Sequence, residues 1–295
     1  MYVGIIPTAG GIPIASGITS GLAVLVAALA LRGALRLRAT TLAAPCLWAV
    51  LSSVCLAAGA LLESRFDGIG LSALQFSIAA TTFCPLMAVL GAKRPQNRGW
   101  QWVVLTLWVV LILPAIQAVL LPAGARVELF IAWKLFLWGL IVVGLFNYLP
   151  TRRWLAALGL AAGQIFLLRA HLGLSSSLPT EWSLTIGVGC LLLAALLMYR
   201  PNPQRADQRR LSDASQTTLG LFDTRWRSFR DAYGAFWALR MLGRINHAAA
   251  LREWPFQLSW SRFVLEDRQP TAAHLAELEQ TMVTLLRRFV DQNVC

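Results

Sequence analysis

In the stretch Leu129–Gly139, LFIAWKLFLWG, a lysine stands inside a run that is otherwise apolar and aromatic. Lys134 and Lys93 are the only two lysines of the chain; every other cation is an arginine. A charge facing hydrocarbon costs roughly 2.5–3.5 kcal/mol on insertion scales, so this ammonium needs water, a counter-charge or a ligand. The stem alone carries the head some way to the interface, because Lys134 lies only about a turn and a half of helix from the nearer end of its run. If it does more than snorkel, the chemistry it offers is anion binding. Gln75, Gln117, Gln164 and Arg169 fall in the same half of the membrane, with His171 and Glu181 at its mouth. Together with Lys134 they are the candidate ligand-binding residues, Glu181 or Glu128 neutralising the cations when the site is empty. The competing account of the same residues is hydrogen bonding between helices, which membrane bundles use widely.

Other chemistries find no residues to carry them. The five cysteines, 46, 55, 84, 190 and 295, make no CxxC and no Cys/His cluster, so no metal site and no disulfide framework are expected. Cys84-Pro85 with Met87 sets soft atoms beside a helix break, but without a second such set they read as core packing. His171 is the only histidine of the apolar part, which argues against haem held between helices, and the last apolar run has no lysine for a retinal Schiff base. Glycines at 9–11 and 187–189 lack the Lys-Ser/Thr of a phosphate loop. No Ser/His/Asp set is readable. The expectation is a protein with no catalytic residues and no cofactor.

The elements that must position these residues follow from composition. Of 295 residues 57% are hydrophobic and 14% charged, against about 25% charged in a soluble domain. Seven stretches are long enough to cross a bilayer: Ile14–Leu31, Thr41–Leu62, Gly70–Leu90, Gln101–Leu121, Leu129–Leu149, Trp154–Leu172 and Trp182–Tyr199. Alternate connections hold twelve cations (32, 36, 38, 93, 94, 98, 152, 153, 200, 205, 209, 210), and the opposite set only Arg65, Arg126 and Arg169. That bias places the N-terminus outside and the C-terminus in the cytoplasm of a plasma (inner) membrane. Residues 1–13 carry no charge, so the first run reads as an N-out anchor rather than a cleaved signal. Gly17–Gly21 and Gly159–Gly163 both have the GxxxG spacing that lets helices approach closely.

The net charge of +12 does not mean nucleic acid: from Leu211 onward ten arginines face nine acids, so the excess sits in the membrane part. Residues 200–220 are rich in Pro, Arg and Ser/Thr and read as a linker. From Phe222 to Arg252 the pattern is helical, with Pro255 ending it; FQLSWSRF alternates like an extended arm, and a second helix follows Pro270. Trp226, Tyr233, Trp237, Trp254 and Trp260 exceed what so short a domain easily buries, which makes them candidates for docking a partner.

The resulting expectation is an all-α polytopic membrane protein. A seven-helix domain spans 1–199, a linker 200–220, and a cytoplasmic helical domain 221–295. Its partners are the lipid bilayer and either a cytoplasmic protein or a second copy held through the C-terminal helices. Two functions remain open: a membrane-anchored scaffold or signalling component, and a permease for a small anion or polar solute.

Overall fold

The computed structural model describes residues 14–93, 97–121, 126–174, 179–199, 218–265 and 269–289. Most of the linker expected at 200–220 therefore lies outside the described residues, as do 1–13, Arg94, Cys295 and the Glu181 side chain.

The apolar runs form α1 (Ile14–Arg36), α2 (Ala43–Leu62), α3 (Gly68–Thr81), α4 (Cys84–Leu90), α5 (Asn97–Leu111), α6 (Leu113–Leu120), α7 (Ile131–Tyr148), α8 (Trp154–Leu172) and α9 (Thr180–Met198). Among the described residues five stretches suffice by length and hydropathy to cross a membrane: Ile14–Arg36, Ala43–Arg65, Gly68–Leu90, Ile131–Tyr148 and Trp154–Leu172. The α5–α6 pair, bent by 42°, makes a sixth if it is one span. Trp182–Met198 is apolar but shorter. The architecture fits an all-α membrane protein, and its outer surface is apolar to match: Trp102, Leu121 and Phe130 are 72, 75 and 80% exposed.

Two prolines shape the bundle. Pro114 opens α6 and marks the bend after Leu111, as its missing N–H requires. Pro85 sits in the first turn of α4 and cannot bond the carbonyl of Thr81, so the third apolar run is two helices rather than one. The freed groups find side chains: Ser52 Oγ donates to the Thr81 carbonyl at 2.6 Å, and Gln164 Nε2 to that of Thr82 at 3.2 Å. Broken backbone at membrane depth is tolerated only where protein satisfies it in this way. Around the break lies the main core, with Phe76, Phe83, Cys84, Leu137 and Leu168 almost fully buried.

The two GxxxG motifs diverge. A Cβ on Gly163 would come within 2.9 Å of the Gly187 carbonyl, so α8 and α9 pack too closely there for a side chain; at Gly159 the approach to the Cys190 carbonyl, 3.3 Å, is tight. Gly17 and Gly21 face open space. α1 instead meets its neighbours through hydroxyls: Thr19 Oγ1 lies 2.8 Å from Thr185 Oγ1, and Ser20 donates to the Ala57 carbonyl at 3.0 Å.

The tail is α10 (Thr218–Leu251), a two-stranded antiparallel hairpin β1 (Phe256–Leu258) and β2 (Phe263–Leu265), and α11 (Ala272–Leu286). The expected extended arm is thus the first strand and turn of a hairpin, Phe256 facing Leu265 and Leu258 facing Phe263, so the tail is not purely helical. Thr271 caps α11, accepting from the His274 N–H while His274 Nδ1 accepts from the Thr271 N–H. The tail's aromatic core runs on into the bundle, because Leu42, Val89 and Ala92 belong to the same buried cluster.

Candidate functional site

The described residues expected to bind a ligand have differing surroundings. Lys134 Nζ reaches the C-terminus of α8: Gly173 turns there with φ +77°, and a Cβ on it would lie 3.3 Å from the ammonium. Cations are favoured at that negative end of a helix. Gln164, 1% exposed, is committed to the Thr82 carbonyl. His171 is buried edge-on to Phe76 at 5.0 Å and hydrogen-bonded to the Val127 backbone. Gln75 donates to Glu63 at 3.0 Å. Gln117 is exposed on α6, and Arg169 is half-buried on α8. A shallow cleft of about 20 Å³ lies between Thr19, Leu56, Glu63, Gln75, Leu167 and Leu184. That holds about one water. Of the expected residues Gln75 alone lines it.

The concentrated polar geometry is at the opposite end, where the tail meets the bundle. α10 runs as a helix except at Gly234, whose φ of 79° and ψ of 179° break it. An unbroken helix would close a bond from the Phe236 N–H to the Ala232 carbonyl. Here both partners turn to the last residues of α7: Asn147 Oδ1 accepts from the Phe236 N–H at 3.0 Å, and the Tyr148 hydroxyl donates to the Ala232 carbonyl at 3.2 Å. A Cβ at 234 would lie 2.4 Å from Asn147 Nδ2, so the close approach requires glycine. Asn147 and Tyr148 are both buried, at 8 and 7% exposure.

Two further contacts close the joint. Thr41, at the foot of α2, donates its N–H to the Phe289 carbonyl at 3.0 Å, and its hydroxyl lies 2.8 Å from the Ala92 carbonyl and 3.3 Å from Tyr233 Oη. Tyr233 itself donates to the Phe289 carbonyl at 3.0 Å. On the other flank Trp260 donates to the Pro150 carbonyl at 2.9 Å. Asp231 accepts from the Arg152 N–H and pairs with Arg230 at 2.8 Å, while Arg230 Nη1 donates to the Trp260 carbonyl.

Of the five aromatic residues expected to dock a partner, three reach the bundle: Tyr233 at Thr41, Trp260 at Pro150, and Trp237, which donates to the Val89 carbonyl at 3.0 Å. Trp226 donates to the Trp260 carbonyl and Trp254 to Glu277, both inside the tail. Trp226, Tyr233, Trp237 and Trp254 are buried and Trp260 is half-buried, so these side chains fill the tail's core and its joint with the bundle. Phe289 sits among Phe229, Tyr233 and Trp237 at ring distances of 5.1, 4.9 and 5.2 Å. Sequence reasoning passed over Thr41, Asn147, Tyr148 and Gly234. The available signals were an Asn-Tyr pair ending a run that Lys134 alone otherwise interrupts and a lone glycine inside an aromatic helix.

Electrostatics mark one position in the tail and one at the end of the bundle. Burial pushes the Asp223 carboxyl above its ordinary range, opposed by the Phe263 N–H it accepts and by Arg227 and Arg262. Burial and the nearby guanidiniums of Arg288, Arg244 and Arg240 lower the pKa of Lys93. Among the described residues no group of three or more His, Cys, Asp or Glu side chains is placed to hold a metal ion. No protein family, no curated protein and no solved structure matches the chain.

Proposed function

We propose that the chain is a seven-span inner-membrane protein, N-terminus outside and C-terminus cytoplasmic. In this reading it is a membrane-anchored scaffold or signalling component whose tail is fixed to the end of the bundle. The observation that carries this reading is the exchange at Gly234, where Asn147 and Tyr148 take up the opened backbone pair of α10. A tail tethered by a linker alone would have no need of such bonds. Held in this way, it keeps one orientation to the membrane and offers its remaining surface, with Leu251 and Val283 72 and 42% exposed, to a cytoplasmic protein. The permease reading is less favoured, because Gln75, Gln164 and His171 are each engaged by a neighbouring group.

The test places a photo-crosslinking amino acid at Leu251 or Val283 in cells. The expected result is a discrete adduct at these positions that is absent when the crosslinker replaces lipid-facing Phe130. An adduct with a second copy of the chain would make the partner the protein itself. Identical smears at all three positions would contradict the reading. Reporter fusions after Gly68 and Asn97 should report outside and cytoplasm respectively; the reverse would overturn the orientation.

A further inference from the structure

Lys93, the second lysine, stands three residues beyond the end of α4, at the depth where the apolar run stops. The joint gives it three arginine neighbours. The Thr41 hydroxyl lies 2.8 Å from the Ala92 carbonyl and 3.3 Å from that of Phe289, so Lys93 and Arg288 flank one point. Trp237, bonded to Val89, brings the second half of α10 to the same place, and Arg240 and Arg244 follow one and two turns on. The Arg240 guanidinium is fixed over the rings of Phe236 and Trp237, 5.8 Å from each. Arg240 and Arg244 are exposed; Lys93 and Arg288 are partly so.

Among the described residues the tail's ion pairs Arg225–Glu279, Arg230–Asp231 and Arg252–Glu277 lie elsewhere, and none of them includes any of these four cations. Burial, and after it the guanidiniums of Arg288, Arg244 and Arg240, lower the pKa of Lys93, so the four cations stand within electrostatic reach of one another. Such a cluster calls for an anion. Two features select a lipid over a dissolved ion: its depth at the end of a membrane-length run, and exposed Phe236 and Leu239 (44 and 59%) beside Arg240, where acyl chains begin.

We propose that Lys93, Arg240, Arg244 and Arg288 form a binding site for the phosphate-bearing headgroup of an anionic phospholipid. The lipid bridges α4 and α10 and so strengthens the joint. This inference stands on the joint itself and does not depend on the scaffold reading.

Native mass spectrometry of the purified full chain tests it, with phosphatidylglycerol, cardiolipin and phosphatidylcholine as probes. The wild type should retain the two anionic lipids at least tenfold more tightly than phosphatidylcholine. In the variant Lys93→Gln/Arg244→Gln/Arg288→Gln, which leaves the Arg240 stack intact, binding should weaken by about fivefold for each cation removed. The charge-reduced control Arg225→Gln/Arg252→Gln should bind like the wild type. Should the triple variant fail to fold, the wild type still decides: its anionic preference should fall as salt rises. No preference in the wild type, a preference indifferent to salt, or an equal loss in the control would each overturn the proposal. So would inorganic pyrophosphate if it bound as tightly as the lipids and displaced them, since the site would then serve a free phosphate.

Discussion

Replacing Gly234 by alanine strikes the joint at its narrowest point. The backbone there, φ 79° and ψ 179°, lies in a region essentially reserved for glycine; holding an alanine in it costs about 1–3 kcal/mol. The new methyl would sit 2.4 Å from Asn147 Nδ2 and 2.6 Å from its Cγ, so the amide must swing away. That breaks its bond to the Phe236 N–H, and an opened buried donor costs about 1–3 kcal/mol more. The total, about 2–6 kcal/mol, is a large share of a stability that is commonly about 5–15 kcal/mol. Asn147→Ala carries only the second cost. The double variant keeps the backbone strain but loses the clash, so it should resemble Gly234→Ala alone rather than the sum of the two. Hydrogen exchange on the full chain in detergent reads this directly. Gly234→Ala should speed exchange in peptides covering 232–241 and also 145–152, with the α8–α9 core unchanged. A silent substitution, or faster exchange confined to the tail, would refute the reasoning, because the break would then be internal to α10.

Asp231→Ala leaves Arg230, with 6% of its side chain exposed, as a buried charge without its carboxylate; the tail should lose about 3–5 kcal/mol in urea unfolding followed by tryptophan fluorescence. Gly163→Val drives a branched side chain into the Gly187 carbonyl and should lower the melting temperature in detergent by the equivalent of at least about 1–3 kcal/mol, whereas Gly17→Val should leave it unchanged. Lys134→Met removes a cation from the α8 C-terminus and should cost about 0.3–1 kcal/mol, with insertion and monodispersity retained in detergent chromatography. The raised pKa of Asp223 means that the folded tail holds this proton more tightly than the unfolded chain. The resulting stabilisation is complete below the ordinary carboxyl value of 3.8 and lost as pH rises through the folded pKa. Asp223→Asn should therefore flatten the acid side of the stability profile.

The apolar runs were legible because twenty-residue hydropathy does not depend on neighbours. What the sequence hid were the long-range pairings. Helical periodicity from Phe222 to Arg252 carries straight over Gly234, and nothing local says that the opened backbone pair there is completed by Asn147 and Tyr148, more than eighty residues away. The two GxxxG motifs are alike in spacing, yet only the one on α8 faces a partner helix. FQLSWSRF showed its alternation, but its hairpin turn, closed by the Ser259 N–H on the Arg262 carbonyl, lacks the Asn-Gly or Asp-Gly that would have pointed to FVL. Of the tail aromatics singled out in the sequence, Trp237, Trp260 and Tyr233 bond Val89, Pro150 and Thr41 of the bundle, pairings that no local pattern announces. Lys134 drew attention as the lone lysine of a span; its ammonium lies beside Gly173 at the C-terminus of α8, a long-range placement no local pattern shows.

The seating of the tail on the basic end of the bundle is open to one direct measurement. The Ala92 and Phe289 carbonyls share the Thr41 hydroxyl, so cysteines at Lys93 and Arg288, in a chain otherwise stripped of thiols, stand close across the joint. A short bismaleimide applied to membranes should link them within one chain at high yield, and Gly234→Ala should cut that yield sharply. Failure to link in the folded wild-type background, or a yield indifferent to Gly234→Ala, would contradict a tail locked to the bundle through the break in α10.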